Sequence, residues 1–442
     1  MKHFLFLTFS FCLFLSSCSD NIEADLGNLQ LGSVAITLTD LDDSQREGLD
    51  VQLRNTVTNT LTTVQTDAEG VASFSVTPGI YEALVSVKRS DNGKLYSFNG
   101  TSGQIVVRLD EEAATEIEMK KAMINQVVIK ELYCGGCMRN NGVETFHFDK
   151  SFILYNNSSE PATLSNLCVG AAAPSNAHAR NDNYTGGGKL NYDGKGFIPV
   201  WNGIWYFTDD LTIQPYSQVV VNVHGAIDNT LTVSQSVNYA NPDYYCMYDP
   251  ESGYTHSSYY PAPSELIPTS HYLKAIRVAQ GNGWPLSVTS PALVVFQTHD
   301  VSPASYAQDN ANWWYDGGGT NIIDRCVKVP NEWIVDAVEV FSTNYPTSNM
   351  KRLTADVDAG YVWLTRYQGH SLYRNVDKEA TEALPENEGK LVYCYSLRAD
   401  GTVNADEIDA EASIRQGAHI IYANTANSTN DFHERQQCSL KD

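Results

Sequence analysis

Short runs in which apolar and polar residues alternate are the feature that most limits the fold of this chain. Turn residues separate one run from the next, and the apolar positions are Val34, Ile36 and Leu38, then Val51 and Leu53, then Leu61 and Val64. A period of two places successive side chains on opposite faces of a strand, and runs of this length are typical of a β-sandwich. We therefore predict an all-β chain that begins with a β-sandwich.

A turn signature follows these first runs. Residues 66–70, Thr-Asp-Ala-Glu-Gly, lead to Phe74, and residues 78–81, Pro-Gly-Ile-Tyr, lead into a further apolar run. Because glycine tolerates a positive φ, Gly70 is predicted in a left-handed turn, and Phe74 is predicted in the core. The segment 31–121 resembles the carboxypeptidase regulatory-like and Cna-B-like prealbumin sandwiches. This resemblance implies a structural role, as a spacer or docking piece.

The remainder of the chain, 122–442, carries a second series of motifs. Strands are predicted at 127–133 and 149–157, and later motifs lie at 334–339, 351–353, 358–361, 369–374 and 427–432. Their order resembles a lamin-tail, immunoglobulin-like β-sandwich, over about 125–435. Residues 351–353 and 358–361 also resemble an uncharacterised family of envelope lipoproteins (domain of unknown function 4876). Ile153 stands where lamin-tail domains have Glu, and residues 423–426 replace their Asp-Thr-Asn.

The first residues are typical of a lipoprotein signal peptide. An apolar run over 4–15 ends in the lipobox Leu-Ser-Ser-Cys at 15–18, and it is shorter than the roughly 20 apolar residues of a spanning helix. We predict a signal peptide over 1–17, acylation of Cys18 and a tether over 18–30. Residues 19–23 resemble the acidic signal of surface-exposed lipoproteins, which predicts the outer membrane and the cell surface. An ordinary secretory signal with an incidental cysteine is the alternative.

Length and charge limit the partners of the chain. Its 442 residues suffice for two domains, and 52 Asp and Glu against 29 Lys and Arg give a net charge of −23. Because like charges repel, nucleic acid and anionic lipid headgroups are poor partners. Cationic ligands and metal complexes stay open, as does the simpler interpretation that acidity keeps a surface protein soluble.

Cys12 and Cys18 belong to the leader and the lipidation site. The other cysteines are Cys134, Cys137, Cys168, Cys246, Cys326, Cys394 and Cys438. An envelope location permits disulfides, although an odd number leaves at least one thiol unpaired within the chain. Cys134 and Cys137 enclose two glycines, and we expect a loop disulfide here or separate structural bridges, with a metal pair or a redox pair as alternatives. No second pair completes a zinc site, so neither a metal centre nor a cofactor is expected.

An aromatic-rich insertion is predicted within the second domain, at about 181–314. Tyr and Trp combine a flat apolar face with a polar tip, which suits stacking on sugars, planar metal complexes or cations. Loops carried on a rigid sandwich are common binding sites. The predicted ligand contacts come from Trp201, Trp205, Tyr244, Tyr245, Tyr259, Tyr260, Trp313 and Trp314. For each single ring, packing within the loops is the competing interpretation.

Sequence motifs for catalysis are not found. The chain has no Gly-x-Ser-x-Gly elbow and no His-Glu-x-x-His helix, and the lamin-tail pattern explains Asp336 and Glu339 as framework. We therefore expect a non-enzymatic lipoprotein that binds a nutrient ligand, such as an iron or other metal complex or a glycan, for a TonB-dependent outer-membrane transporter. An adhesin or structural envelope protein is the first alternative. A glycan hydrolase with an unrecognised site is the second.

Overall fold

The computed structural model describes residues 30–42, 45–58, 60–91, 94–109, 111–185, 188–284, 286–393 and 408–441. This part of the chain consists of β-strands with a few short helices, which confirms the all-β prediction. Its strands form separate sheets before and after residues 124–126. The signal peptide, Cys18 and Cys394 lie outside the described residues.

Two facing sheets form the first domain. Its strands are β1 (Gly32–Thr39), β2 (Asp50–Asn55), β3 (Leu61–Gln65), β4 (Val71–Val76), β5 (Gly79–Asp91), β6 (Lys94–Thr101), β7 (Ile105–Val107), β8 (Glu112–Glu118) and β9 (Lys120–Met123). β1 lies between β4 and β8, while the other sheet has the order β3-β2-β5-β6-β9, with β7 paired to β5. Because alternate residues of both sheets point into one apolar core, the domain is a β-sandwich.

The core of this sandwich confirms two local predictions. Phe74 is 3% exposed and lies opposite Val34 in the pairing of β4 with β1. Gly70 has a φ of 80°, in the left-handed region. Leu61, one of the apolar positions of the alternating runs, is 52% exposed, because it begins β3, the last strand on its side of the described sheet.

The second domain contains the remaining strands and all four α-helices of the described ranges. The strands are β10 (Val127–Tyr133), β11 (Cys137–Met138), β12 (Thr145–Phe146), β13 (Lys150–Asn156), β14 (Ala162–Leu164), β15 (Leu167–Ala171), β16 (Phe197–Trp201), β17 (Gly203–Tyr206), β18 (Leu211–Ile213), β19 (Gln218–His224), β20 (Tyr245–Met247), β21 (Tyr272–Arg277), β22 (Ala292–Gln297), β23 (Trp313–Tyr315), β24 (Arg325–Pro330), β25 (Ile334–Ser342), β26 (Val362–Leu364), β27 (Ser371–Arg374) and β28 (Phe432–Arg435). The helices are α1 (Pro303–Gln308), α2 (Lys378–Glu382), α3 (Ala410–Arg415) and α4 (Ser428–Asp431). Among the described helices, none has the length and apolar character needed to span a membrane.

One large sheet organises this domain. Its twelve strands have the order β26-β25-β22-β15-β17-β21-β20-β19-β13-β10-β27-β28. The two ends of this strand order are in contact, since the backbone N–H of Thr365, just after β26, donates to the carboxylate of Glu434 on β28. β10 and β13 are buried along their whole length, as expected for strands that are covered on both faces.

The region predicted as an insertion, 181–314, is part of this framework rather than a set of loops upon it. It contributes β17, β19, β20, β21 and β22 to the large sheet, and β16 and β23 to a three-stranded sheet with β24. β20 pairs in parallel with both β19 and β21. Strand pairing therefore positions many of the aromatic residues in this region.

Polar contacts join the two domains. The Lys88 ammonium lies 3.2 Å from the Asp377 carboxylate, and the Asn99 amide donates to the carbonyl oxygen of Thr425. Such polar contacts between domains resemble those of transient protein interfaces. They leave open space beside β2 and β26.

Candidate functional site

A buried ion pair fixes the segment 351–353 against β25. The Glu339 carboxylate accepts hydrogen bonds from Nε and Nη2 of Arg352 at 2.9 and 2.6 Å, and from the backbone N–H groups of Arg352 and Leu353 at 2.8 and 2.9 Å. Neither charged side chain is exposed. Both oxygens of the carboxylate are thus satisfied by donors from one segment, which holds that segment in one position.

Asp336, three residues earlier on β25, has a different partner. It binds the guanidinium of Arg374 on β27, which also lies 3.3 Å from the Asp431 carboxylate. Burial raises the pKa of Asp336 to about 6, and the charge of Arg374 opposes the rise. Asp336 and Glu339 therefore belong to separate ion pairs, in agreement with their interpretation as framework. They are not an acid and a base that flank one glycosidic bond.

Asp358 positions the segment that leads to Tyr361. Its carboxylate accepts hydrogen bonds from the backbone N–H groups of Gly360 at 3.0 Å and Ser428 at 2.7 Å. At Gly360 the chain passes so close to Asn427 that an added Cβ would lie 1.9 Å from its Oδ1 atom. Only glycine permits this approach. Tyr361 is consequently held directly before β26, beside the first domain.

An open cleft lies between the two domains at this point. It consists of two adjoining cavities of about 610 and 530 Å³, which share Arg54, Tyr361 and Thr429. Volumes of this size are typical of sites for small organic ligands. The side chains that define this interdomain cleft are Arg54, Glu82, Lys351, Tyr361, Trp363, Thr429 and Glu434.

Aromatic rings form one wall of the interdomain cleft. Phe341 stacks on Tyr361 with ring centroids 4.1 Å apart, and Trp363 meets these two rings edge to face at 5.8 and 5.6 Å. Phe341 is buried, whereas Tyr361 and Trp363 are half-buried and line the cleft. Because they are two residues apart in an extended segment, Tyr361 and Trp363 share one face of it. The buried ring thus supports two rings that retain accessible area.

The charges in the interdomain cleft balance one another. Nη2 of Arg54 lies 2.9 Å from Oε2 of Glu82, with side chains that are 32% and 29% exposed. Lys351 and Glu434 add one further charge of each sign. Burial raises the pKa of the Tyr361 hydroxyl, with Glu82 adding to the rise and Arg54 opposing it. Tyr361 therefore stays neutral and can both donate and accept a hydrogen bond.

Two other cavities in the described part of the chain lack this combination of rings and polar groups. One, between Tyr373 and Glu411, has a volume of about 50 Å³, too small for an organic ligand. The other, on the first domain, measures about 890 Å³, and Phe98 provides the aromatic ring among its mostly charged and polar lining residues. The interdomain cleft is therefore the better candidate.

The sequence-predicted ligand contacts lie in three separate places. Trp205 is 0% exposed and stacks on Tyr254 at 5.6 Å, so it is a core residue rather than a surface contact. Tyr260 packs against Trp205 at 5.7 Å, and Tyr259 stacks on His224 at 4.2 Å. Burial of Trp205 follows from its place on β17, in the middle of the large sheet.

A second group lies on the three-stranded sheet. The indole N–H of Trp201 donates to the Ile323 carbonyl oxygen, and that of Trp313 donates to the Ala307 carbonyl oxygen, both at 2.9 Å. The Arg325 guanidinium lies 3.9 Å from the Trp313 ring centroid. Trp314 is half-buried and packs against the core of this region.

The third group is Tyr244 and Tyr245. Tyr245 stacks on His271 at 4.1 Å and lines a small cavity of about 140 Å³, and Tyr244 packs beside Tyr239. The structure does not bring the three groups together, and none of these rings lines the interdomain cleft. Ligand contact by the half-buried rings stays a prediction.

The cysteines differ from the expectation of disulfides. Cys134, Cys137, Cys168, Cys246, Cys326 and Cys438 are buried free thiols. Burial raises the pKa of the Cys134 thiol and of the Cys137 thiol to about 12, which disfavours the reactive thiolate. These sulfur atoms pack as apolar groups in clusters with neighbouring side chains. Within the described ranges no three His, Cys, Asp or Glu residues are grouped as a metal site.

Tyr361 and Trp363 were not among the predicted ligand contacts. The sequence contains a signal for them, because residues 361–363 read Tyr-Val-Trp directly after Gly360. In a strand this pattern places both rings on one face and the valine on the other. Tyr361 was assigned only to a family motif, and Arg54 lies in the other domain.

Comparison with known proteins finds a family model that matches part of the chain. No curated protein matches its sequence. Residues 214–393 match the model of the family described as Protein of unknown function (DUF4876), and this range contains Glu339, Arg352, Tyr361 and Trp363. The lamin-tail and carboxypeptidase regulatory-like resemblances stay predictions.

Solved structures support the fold to different degrees. The fold is similar to that of a DUF4876 family protein from Bacteroides thetaiotaomicron VPI-5482, at 18% identity, over 91% of this chain and 94% of that chain, with a TM-score of 0.51. The TIE protein of Bacillus anthracis (13% identity, 44% and 46% coverage, TM-score 0.16) and a candidate adhesin from Bacteroides ovatus ATCC 8483 (11%, 60% and 78%, 0.18) are too distant to support an argument. Residues 214–393 thus match the DUF4876 family model, and the fold of the chain is similar to that of a protein of this family.

Proposed function

We propose that the protein is a non-enzymatic lipoprotein of the outer cell surface that captures a small nutrient ligand in the interdomain cleft. The observation that supports this proposal is the pair of supported, half-buried rings, Tyr361 and Trp363, beside the Arg54–Glu82 pair in an open cleft. Rings provide apolar contact area and the charged pair provides directional hydrogen bonds, which is the usual composition of a small-molecule site.

A binding role fits the chemistry of the acidic residues better than a catalytic one. Glu339 is saturated by Arg352 and two backbone donors, and Asp336 is held by Arg374. Carboxylates that are committed to buried ion pairs cannot leave them to transfer protons without a large cost in stability. The proposal therefore assigns them to the framework that holds the cleft.

Attachment to the membrane is supported by the lipobox that ends at Cys18. Replacing Cys18 with Ala removes the acylated sulfur, so the protein should move from the membrane fraction to the soluble fraction. Fractionation with a lipid label tests this expectation, and protease treatment of intact cells tests surface exposure. Unchanged membrane retention of Cys18→Ala without a lipid label would contradict lipid anchoring.

Ligand capture is tested with a chain that lacks residues 1–20. A small-molecule screen by thermal shift, with iron complexes, other metal complexes and sugars, is run on the wild type and on Trp363→Ala. Trp333→Ala is the matched control, because Trp333 is also half-buried but packs on Tyr306 and does not line the cleft. A ligand whose shift is reduced only in Trp363→Ala supports the proposal, and equal loss in both variants would contradict it.

Delivery to a TonB-dependent transporter is the last step of the proposal. The order of lipid, tether, first domain and second domain along the chain suits a binding domain that is held away from the membrane surface. Purification of the full chain from its own cells, after mild cross-linking, should recover a transporter of this class. Recovery of the protein without such a transporter would contradict delivery but would not affect the proposal of ligand capture.

A further inference from the structure

We infer that the ligand class of the interdomain cleft is a neutral oligosaccharide. This inference rests on the proposed function, because it names the ligand for the same cleft. Four features of the cleft support it: the balance of its charges, the hydrogen-bonding capacity of its polar groups, the form of its aromatic wall and the adjoining of its two cavities.

The charge balance favours a neutral ligand. Arg54 and Lys351 contribute two positive charges, and Glu82 and Glu434 contribute two negative ones. An ionic ligand of either sign is attracted by two of these groups and repelled by the other two, and it would compete with the Arg54–Glu82 pair, whose atoms are 2.9 Å apart. A neutral ligand can bind without separating this pair.

The polar groups suit hydroxyl-rich ligands. A guanidinium has five N–H donors and a carboxylate has about four acceptor sites, so the ion pair and the contact with Tyr361 use only part of their capacity. A sugar hydroxyl both donates and accepts, and it can therefore bridge Arg54 and Glu82. The neutral Tyr361 hydroxyl adds a third group of the same kind.

The aromatic wall suits the apolar face of a sugar ring. Trp363 is half-buried at the centre of a β-strand, and contacts with Phe341 and Tyr361 hold its orientation. A flat, fixed ring binds the C–H face of a pyranose without losing side-chain freedom on binding. The polar edges of the sugar then point to the charged pair across the cleft.

The extent of the cleft favours a chain of sugars over a single one. The two cavities, of about 610 and 530 Å³, adjoin at Arg54, Tyr361 and Thr429. A ligand that fills both passes Trp363 on one side of Tyr361 and Lys351 on the other. An oligosaccharide has this elongated form, and its repeated hydroxyl groups match polar groups along both cavities.

Isothermal titration of the purified full chain tests the inference. The probes are neutral tetrasaccharides of glucose, xylose and mannose, a tetrasaccharide of a uronic acid, haem and a ferric catecholate. Each probe is titrated into the wild type, Trp363→Ala, Trp363→Phe, Glu82→Gln and the control Trp333→Ala. Circular dichroism and thermal melting confirm that each variant is folded, and Trp363→Phe retains a ring if Trp363→Ala does not fold.

We expect at least one neutral tetrasaccharide to bind more tightly than the uronic acid tetrasaccharide. Trp363→Ala should weaken it about twofold to tenfold, the range that one aromatic contact contributes, and Trp363→Phe should weaken it less. Trp333→Ala should not change the affinity. If haem or the ferric catecholate binds, no sugar binds, and Trp363→Ala weakens this binding, the inference of a saccharide ligand is wrong and the proposed function is retained. If a sugar binds equally to all variants, or if no probe binds, both the inference and the assignment of the cleft as the ligand site are wrong.

Discussion

Replacing Glu339 with Gln should strongly destabilise the second domain. The amide retains one acceptor oxygen, so at least two of the four hydrogen bonds to the carboxylate are lost. If the retained oxygen faces the guanidinium, two buried backbone N–H groups lose their partner, at about 1–3 kcal/mol each. The Arg352 charge also loses its counter-ion where neither side chain is exposed. The sum agrees with the roughly 3–5 kcal/mol found when a buried ion pair is broken.

Urea denaturation followed by tryptophan fluorescence measures this loss. All seven tryptophans lie in the second domain, so the signal reports its unfolding and not that of the first domain. The matched control is Glu144→Gln, because Glu144 lies 3.9 Å from Arg139 with both side chains exposed, and its loss should change stability by less than about 0.5 kcal/mol. The expectation is contradicted if both variants lose equally little free energy of unfolding and the slope of this free energy with urea concentration is unchanged. The ion pair would then not hold the segment 351–353.

Two further predictions concern single buried groups. Phe74→Ala should destabilise the first sandwich by about 3–5 kcal/mol. Calorimetry should show a lower melting temperature for the first domain and an unchanged one for the second. An unchanged melting temperature for the first domain would show that Phe74 is not a core residue. Burial raises the pKa of Asp149 to about 7 from its unfolded value of about 3.9, so stability is lost as the pH rises through this window. The melting temperature of Asp149→Asn should therefore rise relative to that of the wild type between pH 4.5 and 7.5. The same rise in Asp243→Asn, where the aspartate is exposed, would contradict this assignment.

The local parts of the fold could be predicted from the sequence. The period of two predicts that Val34 and Phe74 are buried, and the residues around Gly70 predict its turn. Both signals depend only on near neighbours in the sequence. The large sheet depends on distant pairings, such as β10 with β27 and β15 with β22. A strand pattern does not name its partner, so the strands within 181–314 were interpreted as an insertion.

The site was harder to predict, because aromatic residues favour strands and cores as well as ligands. Aromatic density pointed to Trp205 and its neighbours, yet strand pairing places that ring in the core. The interdomain cleft combines Tyr361 and Trp363 with Arg54 from the other domain. No local pattern reports a contact between two domains, so only the assembled fold identifies this combination.

The framework motifs and the cleft are coupled through Gly360, and this coupling gives the last prediction. Gly360→Ala would place a Cβ 1.9 Å from Oδ1 of Asn427, whose side chain caps α4 by accepting the N–H of Thr429 at 3.0 Å. The cap must move, and α4 carries Asp431, a partner of the Arg374 guanidinium. We expect a loss of about 1–3 kcal/mol, as for other overpacked sites.

The same displacement should shift Tyr361, which follows Gly360 directly, and so weaken ligand binding even though no cleft side chain is changed. Gly319→Ala is the control, since an added Cβ would lie 3.8 Å from Oδ2 of Asp324, an ordinary contact distance, and the φ of −73° suits alanine. Tryptophan fluorescence in urea gives the stability, and titration gives the affinity. If Gly360→Ala matches Gly319→Ala in both, the loop yields without cost, and the buried ion pairs do not determine the position of Tyr361.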